Sequence, residues 1–175
     1  MSRASIRGFT LFEFVVVIVM IAVLSGFLLD RVLPLIGQAE RVAFLQTKQQ
    51  IQSALLLEAA ERVVRGESAS LAKLTAANPM DLLLEPPGNY AGLISHYTSE
   101  TMPRRAWFFD DKDDLLVYRP GRQATFMAIN GPPDRIELRV SFVYEDRDSD
   151  GVFNASVDHF DGLRLESLHL YSWPR

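Results

Sequence analysis

An unbroken apolar run near the start constrains this chain more than any other feature. From Phe9 to Leu29 there are 21 residues with one charged side chain, Glu13. A helix of this length spans roughly 30 Å, the thickness of the hydrocarbon core of a bilayer. The preceding residues, 1–8, include Arg3 and Arg7 and no acid. We therefore expect a single membrane-spanning helix with its N-terminus in the cytoplasm, since positive charge is retained there, and with the rest of the chain exported.

The remainder of the chain has the composition of a soluble, mildly acidic domain. Residues 30–175 contain 16 Lys and Arg against 21 Asp and Glu, a net charge of −5. No nucleic-acid partner is expected, because no basic surface is indicated. The chain has no Cys, which excludes disulfides, thiol nucleophiles and zinc–thiolate sites. A cleavable secretory signal is also disfavoured, because the apolar run is too long and no A-x-A-like site precedes Asp30.

The junction between the leader and the apolar run has a specific sequence. It reads Arg7-Gly8-Phe9-Thr10-Leu11-Phe12-Glu13. This junction resembles the class III signal of type IV pilins and type II secretion pseudopilins, in which a short basic leader ends in Gly and Glu is the fifth residue after it. The resemblance covers about the first 65 residues.

The resemblance implies a processing route for this chain. A prepilin peptidase would cut between Gly8 and Phe9, and Phe9 would become the N-methylated first residue. Glu13 would pair with the α-amino group of Phe9 in a neighbouring pilin or pseudopilin subunit during assembly. The chain would reside in the bacterial inner membrane, with its C-terminal domain in the periplasm, before it enters a fibre. The alternative is a signal-anchor helix in which Glu13 is incidental, although an unpaired carboxylate in hydrocarbon is costly.

The pattern after the apolar run predicts an α+β fold, in which a long N-terminal helix packs on a C-terminal antiparallel β-sheet. We expect a leader at 1–8, a transmembrane and polymerisation helix at 9–37 and an exported pilin-like domain at 38–175. Within that domain an amphipathic helix at 38–66 is followed by a connecting region at 67–105 and a sheet at 106–175. Pro34 should kink or loosen the helix.

The amphipathic part of the helix has a clear period and a clear end. Its predicted apolar face contains Phe44, Leu45, Ile51, Leu55, Leu56, Ala59 and Val63, and its predicted polar face contains Glu40, Thr47, Gln50, Glu58 and Glu61. Gly66 is the expected C-terminal stop. In the connecting region, Ser70 and Asn78 are candidate caps of two short helices.

The loop after these short helices is a candidate binding segment. Tyr90, His96 and Tyr97 lie in it, and a solvated or self-packed loop is the more common outcome.

Strand signals dominate the last third. Residues 106–110 and 115–119 flank an Asp-rich turn and predict a hairpin, and 125–129 with 136–145 predict a second hairpin. The segment 136–145 places Ile136, Leu138, Val140, Phe142 and Tyr144 on one face and, up to Ser141, polar residues on the other. The segment 163–173 reads as a final strand with an irregularity near Ser167, a candidate bulge.

An acidic stretch between the last two predicted strands matches a calcium-binding pattern. Residues 146–151 read D-x-D-x-D-G, the opening of a calcium loop. The candidate ligands are the side chains of Asp146, Asp148 and Asp150 and the carbonyl of Val152, with Asn154 or Asp158 completing the shell. The twelfth position is Val157 instead of Glu and no helical pattern flanks the loop, so a calcium-clasped β-turn of the kind found in some pseudopilins is favoured over an EF-hand. The alternative is a solvated Asp-rich hairpin loop.

Two functions remain, and neither is enzymatic, because no catalytic motif is present. The first is a structural subunit, a minor pilin or pseudopilin of a type IV pilus or type II secretion fibre. Its size and lack of Cys resemble minor pilins, including those of mannose-sensitive haemagglutinin-type systems. The second is a tip-located adhesin or binding module of the fibre.

Overall fold

The computed structural model describes residues 9–122, 124, 126–154 and 156–173. Gly8 and the rest of the predicted leader lie outside the described residues. The chain divides into two units, one that ends at Ile36 and one that runs from Gly37. A long helix is followed by a mostly antiparallel sheet, which confirms the predicted α+β class at this coarse level.

Helix α1 runs from Leu11 to Val64. It is continuous through position 34, so the loosening expected at Pro34 does not end the helix. At its C-terminus Gly66 adopts φ +77°, and the Gly66 N–H donates to the Val63 carbonyl at 3.0 Å while the Glu67 N–H donates to the Arg62 carbonyl at 2.8 Å. This pair of bonds is a Schellman motif, which confirms Gly66 as the stop.

The buried face of α1 differs from the predicted apolar face. Its buried described residues are Gly37, Glu40, Phe44, Thr47, Ile51, Leu55 and Ala59. The assignment of Glu40 and Thr47 to the polar face was therefore wrong, and Leu45, Leu56 and Val63, assigned to the apolar face, are exposed. The buried stripe is narrow because only one row of helix positions, spaced i, i+3/i+4, i+7, contacts the sheet. A polar side chain in that row can be buried when it has hydrogen-bond partners.

Two short 3₁₀ helices follow, Ser68–Thr75 and Pro79–Leu82. The Asn78 side chain accepts from the Met80 N–H at 3.1 Å, which confirms Asn78 as a cap. Ser70 lies inside the first of these helices, where its hydroxyl donates to the Glu67 carbonyl at 2.8 Å, so its predicted position at the helix start was wrong.

Seven strands in the described part of the chain form two sheets. They are β1 (Tyr90–Ile94), β2 (Ala106–Asp110), β3 (Leu115–Arg119), β4 (Met127–Ala128), β5 (Ile136–Glu145), β6 (His159–Ser167) and β7 (Tyr171–Ser172). The larger sheet has the order β1-β2-β3-β5-β6, and β4 pairs with β7 in a second, two-stranded sheet. The β2–β3 hairpin and the extent of β5 agree with the prediction.

Three sheet predictions were wrong, each at a non-local pairing. Residues 90–94, predicted to be part of the connecting region, form a strand parallel to β2. The strand predicted at 125–129 is reduced to β4, which pairs with β7 instead of β5. The final strand predicted at 163–173 is divided between β6, which ends at Ser167, and β7, which belongs to the other sheet. The bulge lies where Val143 pairs with Gly162 but Tyr144 pairs with Phe160. Gly162 adopts φ +145° there, a conformation that favours glycine.

The core lies between α1 and one face of the larger sheet. The Phe44 ring stacks on Trp107 with centroids 5.1 Å apart, and Trp107 lies 4.8 Å from the Tyr118 ring. On the other face of β2 and β3 a smaller cluster, which contains Phe108 and Val117, is covered by Tyr97 and its neighbours. Both faces of these two strands are therefore covered, which explains why all their residues are buried.

Candidate functional site

The first candidate site is the N-terminus of α1. The Thr10 carbonyl accepts the first helical bond, from the Phe14 N–H at 3.0 Å, and the Thr10 hydroxyl oxygen accepts from the Glu13 N–H at 3.2 Å. Thr10 is therefore the N-cap, and Glu13 stands at the third helical position, as in a capping box. A carboxylate in the first turn also interacts favourably with the helix dipole.

The apolar residues that follow Glu13 have no cover from the described residues of the chain. Every residue from Phe9 to Val32 is exposed, with Leu11 at 82% and Val17 at 41%. Among the described residues, α1 is the one helix long and apolar enough to cross a membrane. An apolar surface that surrounds a helix on all sides needs lipid or other helices around it.

The second candidate site is the acidic loop, which we define as residues 145–161, so that it includes the last residue of β5 and the first three residues of β6. One carboxylate oxygen from each of Asp146, Asp148 and Asp158 lies within 4.8 Å of the others. Asp150 is outside this group, and its Oδ1 accepts from the Val152 N–H at 2.7 Å. The structure thus brings together three of the predicted carboxylates but places Asp158, an alternative ligand in the sequence-based set, where Asp150 was expected.

Backbone donors shape this acidic loop. Asp158 accepts from the Arg147 N–H at 3.0 Å and from the Asn154 N–H at 2.7 Å, and Asp146 Oδ2 accepts from the Gly151 N–H at 2.8 Å. The Asn154 side-chain oxygen accepts from the N–H and hydroxyl of Ser156, so it is engaged within the loop. Ser149 and Gly151 adopt positive φ angles of 60° and 77°, which produce the tight turn that the D-x-D-x-D-G pattern predicts.

The surroundings of Asp146 and Asp148 shift the pKa values of these two carboxylates in opposite directions. The hydrogen bond from the Gly151 N–H lowers the pKa of Asp146. Desolvation and then the charge of Asp150 raise the pKa of Asp148. The Asp146 Oδ1 atom is buried and has no hydrogen-bond partner among the described residues. Three carboxylates, one of which has an unpartnered oxygen, are a donor set that fits a hard divalent cation such as calcium.

The predicted binding segment around Tyr90, His96 and Tyr97 is largely self-packed. Tyr90 lies in β1, and its hydroxyl accepts from the Asn78 amide at 3.0 Å. The Tyr97 hydroxyl donates to Asp134 at 3.1 Å, and His96 is exposed. The structure does not bring these three side chains into one site, which agrees with the more common outcome for such a segment.

A buried carboxylate that the sequence did not single out connects α1 to the sheet. Glu40 is 8% exposed, and its Oε1 accepts from the Tyr118 hydroxyl at 3.0 Å and from the Gly121 N–H at 2.6 Å. Its Oε2 lies 3.2 Å from Arg105 Nε. Burial raises the pKa of Tyr118 above its usual value, so this hydroxyl stays protonated and donates. No local pattern marks Glu40, because all its partners are distant in the sequence.

A second side chain of α1 that sequence reasoning missed bonds to the outer strand β6. The Gln52 amide nitrogen donates to the Leu163 carbonyl at 2.7 Å, and its oxygen accepts from the Leu165 N–H at 2.8 Å. One side chain thus pairs with backbone groups of an edge strand, which protects that edge from another chain.

Comparison of the chain with models of protein families, with curated proteins and with solved structures found no match in any of the three. Support for a function therefore comes from the chain's own residues.

Proposed function

We propose that the chain is a minor pilin or pseudopilin, a structural subunit of a type IV pilus or a related type II secretion fibre. Processing occurs between Gly8 and Phe9, and assembly occurs through the N-terminal helix. The observation that carries the proposal is the carboxylate of Glu13 in the first turn of α1, whose described side chains are exposed from Leu11 to Val32. The exposed surface needs lipid before assembly and neighbouring helices after it.

Glu13 has two possible roles, and they predict different mutational behaviour. In the assembly role, the charge of Glu13 pairs with the amino group of a neighbouring Phe9, which removes two uncompensated charges from an apolar environment. In the local role, Glu13 completes the capping box that begins at Thr10, and a neutral Gln serves there as well as Glu.

The processing step is tested on the protein extracted from fibres. Intact-mass and N-terminal analysis should find Phe9 as the first residue with one added methyl group. A mature fibre subunit that retains Met1 or Ser2 contradicts the proposal.

The assembly role is tested with Glu13→Gln, Glu13→Leu and Thr10→Ala. Both Glu13 variants should insert in the membrane but be strongly depleted from fibres, because both lose the charge. Thr10→Ala is the matched control, since it weakens the cap and keeps the charge. Quantitative immunoblots of sheared fibres and of membranes provide the measurement. Glu13→Gln at the wild-type level in fibres would show that only the cap matters.

The position of the protein within the fibre separates a shaft subunit from a tip-located binding module. Gold labelling at intervals along the fibre agrees with the structural subunit. Label confined to fibre ends would favour the binding module.

We also propose that the acidic loop binds calcium through Asp146, Asp148 and Asp158. The unpartnered Asp146 oxygen favours this candidate, since a calcium ion would supply the interaction that the buried atom lacks. Bound calcium would neutralise part of the loop's charge and restrain a long connection in a domain that has no disulfide.

A further inference from the structure

Three arginines near the start of β5 have no carboxylate oxygen within ion-pair distance among the described residues. They are Arg104, Arg119 and Arg122, and we call them the arginine cluster. Arg104 donates to the Pro120 carbonyl at 3.2 Å, and Arg119 donates to the Met102 carbonyl. These carbonyl partners carry no compensating charge, so the cluster contributes three net positive charges.

The most buried member of the cluster is the least satisfied. Arg119 is 8% exposed, and its Nε has no hydrogen-bond partner among the described residues. A guanidinium remains charged at any physiological pH, so its burial without a counter-charge is costly. An anion placed at this end of the domain would reduce that cost.

The exposed members of the cluster line a cavity of about 250 Å³. Arg104 and Arg122 contribute charge to it, and Ala124, Phe126 and Pro133 contribute apolar surface. Asp134, the one acidic residue in the lining, is already paired with Arg135 at 3.4 Å. The cavity is therefore open to a partner that presents carboxylates on a narrow loop.

The acidic loop provides such a partner at the opposite end of β5. Strand β5 begins at Ile136, which pairs with Tyr118 next to Arg119, and it ends at Glu145, where the acidic loop starts. Its ten residues extend about 30 Å at roughly 3.3 Å per residue. The loop has six acidic residues and one arginine, Arg147, which pairs with Glu145 at 3.4 Å.

We infer that the arginine cluster of one copy binds the acidic loop of a second copy, head to tail. Both complementary surfaces belong to one domain and lie too far apart to meet within it. A contact between two different surfaces of identical subunits forms a closed ring only when the rotation between successive subunits adds up to a full turn. Otherwise it produces an open filament. This inference goes beyond the proposed function and rests on it only for the apolar helices that concentrate copies in one membrane.

The loop stays complementary to the arginine cluster if calcium binds. A divalent cation on Asp146, Asp148 and Asp158 would leave the loop with three net negative charges, equal in number to the unpaired arginines. Asp150 and Asp161 lie outside the calcium group and are exposed, so they are the residues best placed to meet the cluster of another copy.

Site-directed crosslinking of the full-length chain tests the contact. The chain has no native Cys, so single Cys variants react without background. Ala124→Cys in the cavity and Val152→Cys in the loop keep every charge, and each is placed on a differently tagged copy. Co-reconstituted in bilayers of neutral lipid and treated with a short bismaleimide, the two copies should form a mixed dimer. Lys112→Cys, on the exposed β2–β3 turn, replaces Ala124→Cys in the matched control and should not crosslink.

Charge variants show whether the crosslink depends on the proposed pairs. Arg104→Glu with Arg122→Glu should lower the dimer yield at least about tenfold, because like charges then face each other. Asp150→Lys with Asp161→Lys should do the same. The chain that carries all four changes has its charges exchanged and should recover the yield.

Each outcome decides the inference. A yield equal to that of the Lys112→Cys control overturns it, and so does a yield that the charge variants leave unchanged. A second experiment uses anionic lipid in place of neutral lipid. If dimers are absent, and if anionic lipid protects Ala124→Cys from maleimide labelling less well in the arginine variants, the cluster binds lipid phosphate and the inference is wrong. Because these measurements need no cleavage at Gly8, failure of the proposed processing leaves them interpretable.

Discussion

Removing the Glu40 carboxylate should destabilise the sheet domain by a predictable amount. The buried oxygen accepts from two donors, the Tyr118 hydroxyl at 3.0 Å and the Gly121 N–H at 2.6 Å. A buried donor left without a partner costs about 1–3 kcal/mol. Arg105 adds little, because its side chain is 47% exposed and becomes solvated when the ion pair is lost. Some of the loss is recovered, since Glu40→Ala also relieves the desolvation of a carboxylate. We expect Glu40→Ala to lower the free energy of unfolding by about 2–4 kcal/mol.

Related variants measure how much each interaction of Glu40 contributes to that loss in the free energy of unfolding. Glu40→Gln keeps an oxygen for both donors but loses the charge and the second oxygen that faces Arg105, so it should cost about 1 kcal/mol. Tyr118→Phe removes one of the two orphaned donors, so Glu40→Ala combined with it should be less destabilised than the sum of the single variants, by about 1 kcal/mol. Glu61→Ala on the same helix is the control, because its pair with Arg65 is exposed and worth at most about 0.5 kcal/mol.

Tryptophan fluorescence during urea unfolding of the full-length chain in detergent measures these differences. The chain has two tryptophans, Trp107 and Trp173, and both lie in the core that contains Phe44 and Tyr118. The signal therefore reports the sheet domain even when the apolar helix is present. A Glu40→Ala variant as stable as Glu61→Ala would refute the assignment of Glu40 as a buried acceptor.

Two further predictions concern the acidic loop and a partly buried phenol. Millimolar calcium should raise the melting temperature of the wild-type chain and of Asp150→Asn but not of Asp148→Asn. The reason is that Asp148 belongs to the gathered carboxylates and Asp150 does not. The same change in melting temperature between calcium and EDTA in both variants would contradict this. Burial, followed by the charge of Asp134, raises the pKa of Tyr97 from 10.0 to about 12. The folded state thus favours the neutral phenol, and stability present below pH 10 should be lost as the pH rises towards 12. This alkaline loss, followed as the urea midpoint, should be shallower in Tyr97→Phe; identical pH profiles would exclude the contribution of Tyr97.

Local patterns were sufficient for the elements whose structure is decided by neighbouring residues. Gly66 could be predicted as the helix stop because the Schellman motif is completed within six residues. The alternation along 136–145 predicted β5, and the Asp-rich turn predicted the β2–β3 hairpin, because both signals are contained in short segments. The apolar run likewise predicted the long exposed helix.

Pairings between distant segments were not predictable in the same way. The parallel addition of β1 to β2 and the pairing of β4 with β7 depend on where the chain returns after a loop, and loop composition does not specify that position. In the acidic loop, the pattern predicted the tight turn, and all three gathered carboxylates were among the candidate ligands, Asp146 and Asp148 directly and Asp158 as an alternative to Asn154. Asp158, and not Asp150, joins the other two carboxylates. Its position depends on the N–H groups of Arg147 and Asn154, eleven and four residues before it, which donate to its carboxylate.

The sequence by itself determined the membrane-spanning length, the isolated charge of Glu13, the α+β order and the excess of acid in the loop, since each is a property of composition or of short-range periodicity. The tertiary structure alone decided that Glu40 is buried and that the unpaired arginines and the acidic loop lie at opposite ends of β5. The reason is physical: burial of a charge and separation of charges depend on which distant groups fold against each other, and a helical or strand period contains no information about those partners.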